Sequence, residues 1–116
     1  MSKTRIYHNP RCSKSRQTLS LLSDNQENIE IIEYLKQPPS PQELAQLIKQ
    51  LGISARQLLR KNEAEYKTLG LSNKDLSDEQ LLAIMSEHPK LIERPIVVKN
   101  GKARLGRPPE AVTEIL

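Results

Sequence analysis

The 116-residue chain has a single cysteine, no phenylalanine, no tryptophan and four glycines. One cysteine cannot close an internal disulfide, which excludes a disulfide-stapled scaffold and makes a reducing, cytoplasmic compartment the expectation. Any redox cycle would have to draw on outside thiols. Aromatic residues make up 3% of the chain, too few for the stacking platforms that hold single strands, so nucleic-acid binding is not expected. No stretch approaches the roughly 20 apolar residues of a membrane span, and Met1-Ser2-Lys3-Thr4-Arg5 leads into no signal-peptide core. The glycines form no phosphate-loop motif, and two histidines with one cysteine make no zinc-ligand pattern. A membrane-bound, metal-dependent or cofactor-carrying protein is therefore not expected.

What is present is a small, mildly basic chain. Eighteen Lys and Arg against fourteen Asp and Glu leave a formal charge of +4, a modest attraction for anionic small molecules. The length fits one domain over residues 1–116, with a core of its own and no room for a second.

The stretch that organises the chain is His8-Asn9-Pro10-Arg11-Cys12-Ser13-Lys14-Ser15-Arg16. Upstream, Thr4-Arg5-Ile6-Tyr7-His8 alternates as a strand does, and Pro10 opposes its continuation. Downstream, Cys12, Ser15, Leu19 and Leu22 recur at helical spacing. Cys12 therefore falls at a helix N-terminus, where unpaired N–H groups and the positive end of the dipole favour a thiolate and can cradle an oxyanion. Cations of the loop, His8, Arg11, Lys14 and Arg16, are expected to lower the thiol pKa further. A lone cysteine is ordinarily a small buried hydrophobe, but these polar neighbours leave it no apolar surroundings. Cys12 reads as an exposed nucleophile.

After the first helix, Ser23-Asp24-Asn25-Gln26 reads as a turn and Ile29–Leu35 as a second strand, giving a βαβ opening whose strand ends carry Cys12. Ser40-Pro41-Gln42-Glu43 starts a helix with the apolar stripe Leu44, Leu47, Ile48 and Leu51, closed by Gly52. Ser54-Ala55-Arg56-Gln57 and Ser77-Asp78-Glu79-Gln80 are two further capping boxes, and Pro89 stops the last helix after His88. Ile96–Leu105 reads as a hairpin around the Asn100-Gly101 turn, and Pro108-Pro109 opens a terminal helix carrying Ala111, Val112, Ile115 and Leu116. Gly101 and Gly106 are read as turn residues. The fold class is α/β: a four-stranded mixed sheet flanked by helices, with a helical insertion between the βαβ and ββα halves. That plan resembles the thioredoxin-like one, in which Pro95 of Glu93-Arg94-Pro95 takes the place of a cis-proline near the reactive cysteine.

With these residues in view, the chain resembles the ArsC family, the arsenate reductases that work with glutathione and glutaredoxin. The likeness rests on Tyr7-His8-Asn9-Pro10 with Cys12, Ser15 and Arg16, on Gly52-Ile53-Ser54 with Leu58-Leu59-Arg60-Lys61-Asn62, and on His88-Pro89, Glu93-Arg94-Pro95-Ile96-Val97-Val98 and Arg107-Pro108. The resemblance implies that Cys12 is the nucleophile and that Arg60, Arg94 and Arg107 hold the oxyanion, supported by His8, Ser15 and Pro95. Guanidinium forks suit a multiply charged oxyanion. It further implies arsenate as substrate, glutathione and glutaredoxin as reductants and partners, and a chain acting as a monomer with no metal or bound cofactor. Ser15 stands where a redox Cys-x-x-Cys keeps its second thiol, so external thiol dependence is expected. Two other readings stay open: a glutathione-dependent thiol oxidoreductase of the same fold, and an RNA-polymerase-binding regulatory protein related to redox regulators.

Overall fold

The structure, a computed structural model, describes residues 3–116. Met1 and Ser2, which head the segment read as leading into no signal-peptide core, lie outside the described residues. The chain forms two compact units: one joins residues up to Gln37 with Arg94–Leu116, and the other is Pro38–Glu93.

The first unit holds a four-stranded mixed sheet in the order β2-β1-β3-β4, made of β1 (Thr4–His8), β2 (Ile29–Glu33), β3 (Ile96–Lys99) and β4 (Lys102–Leu105). β1 pairs in parallel with β2, with Ile6 opposite Ile31 and His8 opposite Glu33. It pairs antiparallel with β3, with Tyr7 opposite Ile96. β1 lies inside the sheet and Thr4, Ile6, Tyr7 and His8 are all buried, so it alternates less than expected and only Arg5 is exposed. β2 ends at Glu33, short of the expected Leu35, because the N–H groups of Lys36 and Gln37 both turn back to the Glu33 carbonyl at 2.9 Å. The hairpin closes as expected on Asn100 and Gly101, both at positive φ (53° and 77°), the pair a type I′ turn requires.

Helix α1 (Ser13–Asp24) joins β1 to β2, and its Leu22 packs with Ile6, Val97 and Val112 in the core, flanked by Leu19, Leu21, Ile115 and Leu116. The inner row of α1 is Ser15, Thr18 and Leu22, with Thr18 fully buried. The C-terminal segment Pro109–Ile115 is a 3₁₀ helix, not the expected α-helix. Pro108 and Pro109 supply no N–H, the Ala111 N–H bonds three residues back to Pro108, and the Thr113 hydroxyl takes the Glu110 carbonyl at 2.7 Å. Both contacts favour the tighter turn.

The second unit is helical: α2 (Pro41–Leu51), α3 (Ala55–Leu58), α4 (Ala64–Thr68) and α5 (Asp78–Glu87), then a 3₁₀ turn over Pro89–Leu91. Ser40 caps α2 through the Glu43 N–H, and Gly52 ends it at φ 73°. Ser54 with Gln57 and Ser77 with Gln80 form complete capping boxes, as their sequences predict. Leu59 and Ile92 form an isolated antiparallel bridge. Among the described residues no helix is long and apolar enough to cross a membrane.

Candidate active site

The site begins where β1 ends. The Asn9 side chain accepts from the Arg11 N–H at 3.0 Å, and the Asn9 carbonyl accepts from the Cys12 N–H at 3.0 Å, so the loop turns sharply onto α1. Cys12 is the N-cap of α1, in extended conformation, and is partly exposed. Its side chain closes no cap hydrogen bond, and the Lys14 and Ser15 N–H groups of the first turn favour the thiolate. Burial, the largest influence on the thiol, raises its pKa. The Ser15 N–H, the charge of Arg94, the Lys14 N–H and a hydrogen bond from Arg94 outweigh it and set the pKa below the ordinary thiol value.

Arg94 reaches the sulfur because β3 runs antiparallel to β1. With Tyr7 opposite Ile96, the residues just before β3 lie alongside the loop that follows β1. The Arg94-Pro95 bond is cis, as the thioredoxin-like plan implied, and Arg107-Pro108 is a second cis bond. The exposed Arg107 guanidinium donates to the Arg94 carbonyl at 3.4 Å. Cys12, Arg94, Pro95 and Arg107 thus meet in the first unit.

His8 and Ser15 form a buried pair behind the loop, with Nδ1 and Oγ 2.6 Å apart. Ser15 Oγ also accepts from the Asn9 N–H at 3.0 Å, pinning the loop to the helix. Burial lowers the His8 pKa more than Glu33, its register partner, raises it, and Arg16 lowers it as well. The ring is therefore neutral at pH 7, which corrects its place among the cations of the loop. Arg16 turns its guanidinium to the Pro10 carbonyl at 2.9 Å, while Arg11 and Lys14 are exposed. The cation that acts on the sulfur comes from the far end of the chain.

Arg60 belongs to the second unit, two residues past α3, where it pairs with Glu63 at 2.7 Å and Glu93 at 3.6 Å. Thr18 and Glu33, not singled out in the sequence, also bear on the site: Thr18 through its hydrogen bond to the Lys14 carbonyl, and Glu33 through the parallel register that sets it opposite His8. The N–H groups of Lys14 and Ser15 are the helix N-terminal amides that the sequence led one to expect. Among the described residues no group of three or more His, Cys, Asp or Glu side chains is placed to hold a metal ion.

A sequence model of the ArsC family matches residues 7–115 of this fold, from the end of β1 to the terminal 3₁₀ helix. The chain belongs to the ArsC family. It is 46% identical to the arsenate reductase of Neisseria meningitidis over 117 residues, covering both chains in full. It is 54% identical to the Escherichia coli (strain K12) "Uncharacterized protein YfgD" over 98% of this chain and 97% of that one. Among solved structures, the arsenate reductase from Vibrio cholerae superposes with a TM-score of 0.96 at 55% identity, over 98% of each chain. The mixed-sheet fold is therefore shared with that structure over 98% of each chain.

Proposed function

We propose that this chain is an arsenate reductase that turns arsenate into arsenite through the Cys12 thiolate, drawing electrons from glutathione and a glutaredoxin in the cytoplasm. The observation that carries the reading is a partly exposed cysteine at a helix N-terminus with the Arg94 guanidinium upon it. Membership of the ArsC family and the relatives that bear the name arsenate reductase support it.

In the mechanism, Cys12 Sγ attacks arsenic(V), one As–O bond breaks, and the oxygen leaves as water after protonation. The N-terminal amides and Arg94 stabilise charge on the remaining oxygens. Glutathione thiol then displaces a second oxygen as water. A glutaredoxin thiolate attacks the glutathione sulfur, the As–S bond electrons pass to arsenic, and a glutaredoxin–glutathione mixed disulfide departs. Water releases arsenite from arsenic(III) and Cys12 regains its thiol. Two thiols lose two electrons and arsenic gains two. Arg107 and Arg60 are assigned to the oxyanion with Arg94 on the strength of their motifs, in a chain that works as one domain and as a monomer. For Arg60 this means exchanging the carboxylates of Glu63 and Glu93 for arsenate.

The test is arsenate-dependent NADPH oxidation with glutathione, glutaredoxin and glutathione reductase supplied. Native protein is expected to turn over, and Cys12→Ser to be folded and inactive. Turnover that persists in Cys12→Ser, or vigorous turnover of the native chain without added thiols, would sink the mechanism. Exposed Arg11 and Lys14, which flank Cys12 in the sequence, favour one second reading, glutathione-linked thiol exchange with anionic mixed disulfides. A folded protein that reduces such disulfides and ignores arsenate would establish it.

A further inference from the structure

Gly106 follows β4, precedes Arg107 and is buried. Its φ lies outside the left-handed region, so its backbone conformation does not call for glycine, and the expected turn role does not account for it. Space does. A Cβ at this position would stand 2.5 Å from Thr18 Oγ1 and 2.7 Å from Pro95 Cγ, well inside the ~3.5–4.0 Å at which heavy atoms settle. The Gly106 N–H donates to the Pro95 carbonyl at 2.9 Å, so the chain after β4 sits directly on both neighbours. Neither can swing aside: the Pro95 ring is closed on the backbone, and Thr18 is β-branched and fully buried.

Each neighbour is one step from a group that holds the sulfur. Pro95 follows Arg94, whose guanidinium bonds Cys12. The Thr18 hydroxyl donates to the Lys14 carbonyl at 2.8 Å and so braces the first turn of α1, whose amides face the thiolate.

We propose that Gly106 is a positioning residue for the chemistry at Cys12: its missing side chain lets the chain after β4 close onto Pro95 and Thr18, and that seat sets the distance between the Arg94 guanidinium and the sulfur. The proposal rests on Cys12 being the nucleophile. An added methyl pushes either Arg94 away from the sulfur or the first turn of α1 out of line, and both weaken the hold on the thiolate.

The test is the pH dependence of Cys12 alkylation by iodoacetamide in the native chain, Gly106→Ala, Thr18→Ala and Gly106→Ala/Thr18→Ala, with urea unfolding measured alongside. Gly106→Ala is expected to alkylate roughly three- to tenfold more slowly at pH 7, its inflexion moved to higher pH. Thr18→Ala removes both the brace on Lys14 and the Oγ1 contact, so adding Gly106→Ala to it should slow alkylation by a smaller factor than adding Gly106→Ala to the native chain. A folded Gly106→Ala with the native profile overturns the proposal, as does a Gly106→Ala effect equally large in both backgrounds. Should Gly106→Ala fail to fold, a folded double variant supports the seat and an unfolded one overturns it. Because alkylation reads the thiolate directly, a native chain with a low inflexion that leaves arsenate untouched would sink the arsenate reading alone. An ordinary native inflexion near ~8.5 would overturn both.

Discussion

At Cys12, burial raises the thiol pKa, and the Ser15 amide, Arg94 and the Lys14 amide lower it. The Ser15 and Lys14 amides come with the helix and survive any side-chain change, whereas Arg94 supplies both a charge and a hydrogen bond that substitution removes. Arg94→Ala is therefore expected to move the alkylation inflexion of Cys12 to higher pH and to slow alkylation at pH 7 by up to roughly tenfold. Arg94→Lys keeps the charge without the planar fork and should fall between Ala and native. An unmoved inflexion in Arg94→Ala would remove Arg94 from the site. The place of Cys12 at a helix N-terminus was legible in the sequence, since Pro10 breaks a strand and the spacing after it is helical. Arg94 was legible only through the family resemblance and not from local spacing, because it becomes a neighbour only once β3 lies antiparallel to β1. His8 shows the same limit: a histidine in a basic loop reads as a cation until burial shows it to be neutral.

At the scale of elements, what was legible is what is encoded within four or five residues. Ser54 with Gln57, Ser77 with Gln80, Gly52 and the Asn100-Gly101 turn all act as their local chemistry dictates. Helix α4 lacks such a code: Glu63 makes no side-chain cap bond there and none of its five residues is buried. The terminal 3₁₀ helix reads as α in the sequence because its apolar spacing suits either form, and only the structure shows the three-residue bonds from the Ala111 N–H to Pro108 and from the Leu116 N–H to Thr113. The caps carry measurable free energy. Ser77→Ala leaves the Gln80 N–H without the side-chain oxygen it donates to at 3.2 Å and should cost about 1 kcal/mol, within ~0.5–2, in urea unfolding. The Cys12 alkylation profile should stay native; a displaced profile would mean that this cap governs more than its helix.

The first unit as a whole separates its chemistry from its anchoring along β1. The C-terminal end of the strand leads to Cys12. The N-terminal end is tied by Glu27, which accepts from the Thr4 hydroxyl at 2.5 Å and pairs with Lys99 at the end of β3 at 2.7 Å. The hydrogen bond from Lys99 and then that from Thr4 lower the Glu27 pKa, against burial, which raises it. A carboxylate with a depressed folded pKa stabilises the native state above its unfolded value of about 4.3, and that contribution disappears as pH falls through the lower folded value. Glu27→Gln is therefore expected to be less stable than native at pH 7, by roughly 1–3 kcal/mol for a hydrogen bond to a charged group. The difference should shrink steadily below about pH 4.3 as the native chain loses what the variant never had. Four residue steps of a strand span about 13 Å, and effects separated by more than ~7–10 Å add. The Cys12 alkylation profile of Glu27→Gln should accordingly match native, and Glu27→Gln combined with Arg94→Ala should show the sum of the two stability changes. A gap between native and Glu27→Gln that holds constant from pH 7 to pH 3 would show that the Glu27 charge is not what ties this end of the sheet.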